Sequence, residues 1–90
     1  MPRWIAIGTA PGWDEAKKLS DEMHLPRNWR PDARTTIKTV YVLNDGRSIA
    51  ECHAPSQESF EAWLQKKGWT VESITPIKNI ANVGSIWEIR

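Results

Sequence analysis

The sequence lacks paired cysteines, an excess of charge of one sign and any long hydrophobic run. Cys52 is the single cysteine among 90 residues, so no disulfide can form within the chain. Twelve basic and eleven acidic residues leave a formal net charge of +1, which gives no general attraction to nucleic acid or to an anionic membrane. No apolar stretch resembles a signal peptide or a membrane span. We therefore expect a cytoplasmic protein with no membrane partner. The near-neutral net charge also argues against a nucleic-acid partner.

Tryptophan, in contrast, is abundant. Six tryptophans stand beside one tyrosine and one phenylalanine. A chain of this length forms one domain and buries only about 60–65% of its unfolded surface, so large rings supply core or interface area that aliphatic side chains otherwise provide. We predict a single domain over residues 1–90, and the excess of large rings favours association of the chain into a homo-oligomer.

The spacing of apolar residues predicts alternating strands and helices. Strands are predicted at Arg3–Gly8, Thr36–Leu43, Arg47–Ala54 and Val71–Ile80, and helices at Trp13–Leu25 and from Ser56 to Gly68. The Asn44-Asp45-Gly46 turn favours a tight hairpin between the two central strands. The segment 26–34 contains two prolines and is predicted to be a long loop.

This order of elements is that of the split βαβ, or ferredoxin-like, plan. We therefore predict an α+β fold, βαββαβ, with an antiparallel sheet and two helices on one face. Pro76 lacks an amide N–H and belongs on an edge strand or at a bulge. An extra C-terminal strand is predicted at Ser85–Arg90. The sheet face without helices needs a partner or the tail to cover its apolar side chains.

The triplet Glu51-Cys52-His53 is the cluster most typical of a metal site, because carboxylate, thiolate and imidazole are good ligands for zinc, nickel or cobalt. Successive side chains of a strand point to opposite faces, so the three can meet one ion only at a bulge. The structural alternative is that Cys52 is buried on the helix side, whereas His53 forms hydrogen bonds at a strand end. His24 is expected at the end of the first helix, where a cation complements the helix dipole.

Three arginines and a tryptophan are concentrated in the long loop, at Arg27, Trp29, Arg30 and Arg34. Guanidinium groups bind carboxylates bidentately, and an indole face stacks on rings or cations. The segment is therefore a candidate lid that recognises an anionic aromatic ligand. In the alternative interpretation, Trp29 closes the open end of the core and the arginines are solvated.

No established catalytic motif is present: the sequence contains no Ser-His-Asp order, Gly-rich phosphate loop, C-x-x-C or H-E-x-x-H. The candidate residues for moving a proton are His53, His24 and Tyr41.

The stretch Arg47–Ile77 resembles small ferredoxin-like proteins of the dimeric α+β-barrel superfamily. In it, a strand runs into Ala54-Pro55-Ser56, a helix follows, and a glycine with an apolar residue leads to a strand that ends in I-T-P-I. The resemblance is closest to a family of domains of unknown function that includes a nickel-responsive protein. Members of that family often have a cysteine where this chain has Ala50, and a histidine in the second helix, where this chain has none. The resemblance implies a dimeric barrel, and the superfamily also includes cofactor-independent monooxygenases.

Three hypotheses for function follow from these observations. The first is a homodimeric protein that binds a small ligand or a transition metal, nickel or zinc, and requires no cofactor. The second is a cofactor-independent monooxygenase or isomerase that acts on a small hydrophobic or aromatic acid. The third is a protein–protein interaction domain. An enclosed cavity with a titratable group favours the first two, and a solid core favours the third.

Overall fold

The computed structural model describes residues 2–81, which form a small α+β domain. Its elements are β1 (Arg3–Thr9), α1 (Ala16–His24), α2 (Pro26–Trp29), β2 (Thr36–Val42), β3 (Ser48–His53), α3 (Gln57–Lys66) and β4 (Thr70–Pro76). The four strands form one sheet in the order β2-β3-β1-β4, and every neighbouring pair is antiparallel. This order is consistent with a ferredoxin-like plan. The strand predicted at Ser85–Arg90 lies outside the described residues.

Several predicted boundaries differ from the structure. The first helix begins at Ala16 rather than Trp13, whose ring is buried just before the helix. The segment predicted as a loop contains the short helix α2, because Pro26 occupies a first-turn position, where its missing N–H costs nothing. The last strand ends at Pro76 rather than Ile80. The edge position predicted for Pro76 is confirmed, since β4 lies at the end of the sheet.

A β-bulge in β2 changes which of its side chains share a face. Ile37 lies opposite Cys52 and Thr39 lies opposite Glu51, so Lys38 is the extra residue between them. Strict two-residue alternation would place Ile37 and Thr39 on one face, and the bulge puts them on opposite faces. Ile37 faces the helices together with Val40 and Val42, and the open face carries Thr39 and Tyr41.

The hydrophobic core lies between the sheet and the helices, and large rings pack in it against small residues. The buried rings are Trp13, Phe60, Trp63 and Trp69. The ring centres of Trp13 lie 5.9 Å from Trp63 and 5.7 Å from Trp69. The sheet presents Ala6, Ala50 and Cys52 to these rings, and such short side chains leave room for indoles at native packing density.

Helix α3 has every local feature that its sequence predicts. The Ser56 side chain caps the helix by accepting a hydrogen bond from the Ser59 N–H. Glu58 lies in the first turn and Lys66 in the last, where each charge complements the helix dipole. Gly68, with a φ of 80°, ends the helix in a left-handed conformation. The buried stripe of α3 consists of Phe60, Trp63 and Leu64.

Candidate ligand-binding site

Strand β3 separates the members of the Glu51-Cys52-His53 triplet. Glu51 Oε2 and His53 Nε2 lie 3.6 Å apart on the open face of the sheet. Cys52 points to the opposite face, where it is fully buried, as the alternation predicted. Burial raises the pKa of the Cys52 thiol to about 12, so the group is a neutral thiol at pH 7 and a poor metal ligand. Within residues 2–81, no three His, Cys, Asp or Glu side chains converge in a way that could hold an ion.

His53 lies at the end of β3, opposite Arg3 of β1. Partial burial is the main cause that lowers its pKa, and the positive charges of Arg3 and Lys38 act in the same direction against Glu51. The imidazole therefore stays neutral to a lower pH than a free histidine does.

The three candidates for proton transfer do not form one cluster. His53 and Tyr41 share the open face, where the Tyr41 side chain is 58% exposed on edge strand β2. His24 ends α1 in the helical layer on the other side of the sheet and is exposed.

The segment that carries the predicted arginine lid is fastened to α3. The indole N–H of Trp63 donates to the Asn28 carbonyl oxygen at 2.6 Å. The Lys67 ammonium, only 11% exposed, donates to Asn28 Oδ1 at 3.2 Å and to Glu22 Oε2 at 3.0 Å. These bonds join α1 and α2 to the end of α3, so α2 is a fixed wall of the domain.

Asp32 shapes the connection from this segment to β2. Its carboxylate accepts hydrogen bonds from the Arg34 N–H at 2.8 Å, the Thr35 N–H at 2.9 Å and the Thr35 hydroxyl at 3.0 Å. The bond from the Arg34 N–H is the largest cause that lowers the Asp32 pKa. Arg27, Arg30 and Arg34 are exposed, and no carboxylate in the described part of the chain pairs with them.

A cleft of about 310 Å³ opens beside Trp29. Its lining consists of Met23, Trp29, Thr36, Ile37 and Lys38. The indole, the thioether and the isoleucine form apolar walls, and a hydroxyl and an ammonium are the polar groups. This volume lies at the lower end of the range for small-molecule sites, and a mostly apolar lining with few polar groups is typical of them.

The half-buried ring of Trp29 packs against the core, as the alternative interpretation predicted, and it also lines the cleft. Its part in ligand recognition stays a prediction. None of the three arginines lines the cleft, so their part in ligand binding stays a prediction. Three other residues of the lining, Met23, Thr36 and Lys38, were not among the candidate residues predicted from the sequence.

Within residues 2–81, no helix is both long and apolar enough to cross a bilayer. Comparisons of the chain with models of known protein families, with curated proteins and with solved structures found no match.

Proposed function

We propose that this protein is a small-molecule-binding module that holds an organic anion with an aromatic or aliphatic body in the cleft beside Trp29. The observation that carries the proposal is the convergence of one indole, two apolar side chains, one hydroxyl and one lysine on a single cleft. The indole stacks on a flat apolar ligand, and Lys38 pairs with its carboxylate. No cofactor is needed for this role.

The composition of the cleft favours binding over catalysis. Its lining includes no imidazole and no carboxylate among the residues described. Glu51, His53 and Tyr41 are not in the lining of this cleft. A ligand in the cleft therefore contacts a cation and apolar walls, and no general base lines it.

Phenylacetate is a suitable probe for this proposal, and phenylacetamide is its neutral counterpart. We expect phenylacetate to shift the backbone amide resonances of Thr36, Ile37 and Lys38 in an NMR titration. Lys38→Met keeps the aliphatic stem and removes the charge, so it should weaken phenylacetate binding about fivefold, the effect of an exposed ion pair. Trp29→Ala removes the stacking wall and should weaken binding more than about tenfold.

Lys78→Met is the matched control, because Lys78 is an exposed lysine that follows β4, at the other edge of the sheet from β2. The Lys78→Met variant should bind phenylacetate with the same affinity as the unmodified protein. Phenylacetamide should bind equally to the unmodified protein and to Lys38→Met. Equal affinity of Lys38→Met and Lys78→Met for phenylacetate would rule out the assigned role of Lys38.

The open face of the sheet supports a second proposal, a homodimer in which two sheets pack face to face as a dimeric α+β barrel. Ile7 lies opposite Ile49 and Ile5 opposite Glu51, so a half-buried isoleucine strip crosses the central strands. A two-fold interface must be complementary to itself. This face meets that condition, because its isoleucines can pack against their copies and Arg3 can pair with the partner's Glu51.

The same dimer defines what a metal site requires. Each copy contributes Glu51 and His53 from the open face, and a structural zinc site usually needs four ligands. Binding of zinc or nickel therefore needs both copies.

Native mass spectrometry of the full chain, purified without chelator, tests the dimer and the metal together. We expect a dimer that Ile49→Lys converts to a monomer, because a charge is buried at the centre of the strip. The control Val71→Lys, at an exposed position on edge strand β4, should stay dimeric. Extra mass equal to one metal ion, lost on chelation, supports the metal. A bare dimer argues against the metal, and a monomer contradicts the dimer.

A further inference from the structure

A second cleft, of about 380 Å³, lies at the other end of α1. It is lined by Trp13, Ala16 and Leu19 on one side and by Val42 and Asn44 on the other, with Asp14 at its mouth. The cleft beside Trp29 has the same two walls, α1 and β2, because Met23 and Ile37 line it. The two clefts therefore lie at opposite ends of the space between α1 and the edge strand β2.

Only a short stretch separates these clefts. On β2, Val40 is the one residue between Lys38 and Val42 that faces the helices, and it is half-buried. On α1, Met23 and Leu19 are four residues apart and so lie on one face, and each lines one of the clefts. The two clefts become continuous only when α1 moves away from Val40.

Helix α1 is held to the core by fewer buried side chains than α3. It contains no fully buried residue, and no side chain caps its N-terminus. Helix α3 buries three residues and has a serine cap. The Glu22–Lys67 ion pair ties α1 to the C-terminal end of α3. Elements with few buried apolar side chains open at the lowest free energy.

We infer that α1 roofs a single elongated trough, which takes an amphiphilic acid with its carboxylate at Lys38 and its chain along β2 toward Trp13. This inference rests on the proposed function, because it uses the same cleft as the head-group site. Lys38 and Val42 are four residues apart, which is about 13 Å along a strand and fits a medium-length alkyl chain. Asp14 at the far end repels a second carboxylate, so the class is monocarboxylate.

Chain-length dependence tests the inference. Hexanoate fits the cleft beside Trp29, and decanoate, used below its micellisation concentration, reaches the second cleft. We expect decanoate to bind about 100-fold more tightly than hexanoate in calorimetric titrations, because four additional methylenes are buried. Decanoate, but not hexanoate, should shift the amide resonances of Val42 and Asn44. The ten-carbon dicarboxylate sebacate should bind no more tightly than hexanoate.

Ala16→Trp fills the second cleft from an exposed position of α1. It should bring the affinity for decanoate to within about threefold of the affinity for hexanoate, which itself stays unchanged. Lys17→Trp is the control: it adds the same ring at the next residue, whose side chain is 88% exposed and lines neither cleft. It should leave the preference for decanoate intact. Circular dichroism verifies that both variants are folded.

The two proposals fail in different ways. If hexanoate and decanoate bind equally and Lys38→Met weakens both, the trough is overturned and the anion site stands. If the preference for decanoate persists in Ala16→Trp, or no shift appears at Val42, the chain lies elsewhere and the trough is overturned. If neither acid nor phenylacetate binds, both proposals are overturned.

Discussion

Trp63→Ala should lower the free energy of unfolding by about 4 kcal/mol, the loss typical of a large buried aromatic residue replaced by alanine. Trp63 is 2% exposed and packs against Trp13, Phe60 and Trp69. Its indole N–H also donates to the Asn28 carbonyl oxygen. Truncation therefore leaves a cavity in the core and removes one of the two hydrogen bonds that join α2 to the end of α3.

Two further variants separate these contributions. Trp63→Phe keeps a ring in the core but removes the hydrogen bond, so it should cost less, about 2 kcal/mol. Gln65→Ala changes an exposed residue of the same helix and should be nearly neutral. Urea denaturation followed by circular dichroism measures all three. A loss below about 1 kcal/mol for Trp63→Ala would contradict the packing described for this ring.

Gly8→Ala should cost about 3 kcal/mol, at the upper end of the range for overpacking a core. A β-carbon on Gly8 would press against the Thr70 carbonyl oxygen and lie 3.0 Å from Val71 Cα. Both are backbone atoms of β4, and the register between β1 and β4 shifts at this residue. The strands cannot separate to admit a methyl group without losing ladder hydrogen bonds.

Gly46→Ala is the matched control because its cost has a different cause. Gly46 has a φ of 89° in the β2–β3 turn, and a β-carbon there meets no atom within 4 Å. Alanine at this position should lower the free energy of unfolding by about 1 kcal/mol, because the left-handed backbone conformation is its only penalty. The same denaturation assay compares the two variants, and a smaller loss for Gly8→Ala than for Gly46→Ala would refute the close approach of β1 and β4.

The sequence predicts those parts of the fold in which several local features indicate the same element. Helix α3 has a cap at Ser56, an apolar stripe and a terminal glycine at Gly68, and the structure contains each of them. The Asn44-Asp45-Gly46 turn joins β2 and β3 as expected. The two-residue period of β3 correctly places Cys52 in the core, away from Glu51 and His53.

The candidate site was less accessible to such reasoning, because it depends on contacts between segments distant in sequence. The bulge at Lys38 is defined by the pairing of β2 with β3, and no residue type in β2 indicates it. Met23 lies four residues after Leu19, on one face of α1. Its position in the lining of a cleft, however, depends on where α1 packs over β2. Pro26 was expected to exclude helix, although it favours a first turn when the preceding residue is extended, as Leu25 is here.

The burial of Cys52 gives the chain a built-in reporter of its own opening. It is the single cysteine of the sequence, its side chain is fully buried in the core between the sheet and the helices, and its thiol, with a pKa of about 12, is neutral at pH 7. A thiol reagent modifies such a group only after the sheet and the helices separate. When the core recloses faster than the reagent reacts, the rate of alkylation at this one atom gives the free energy of core opening under native conditions, without any denaturant and without an introduced label.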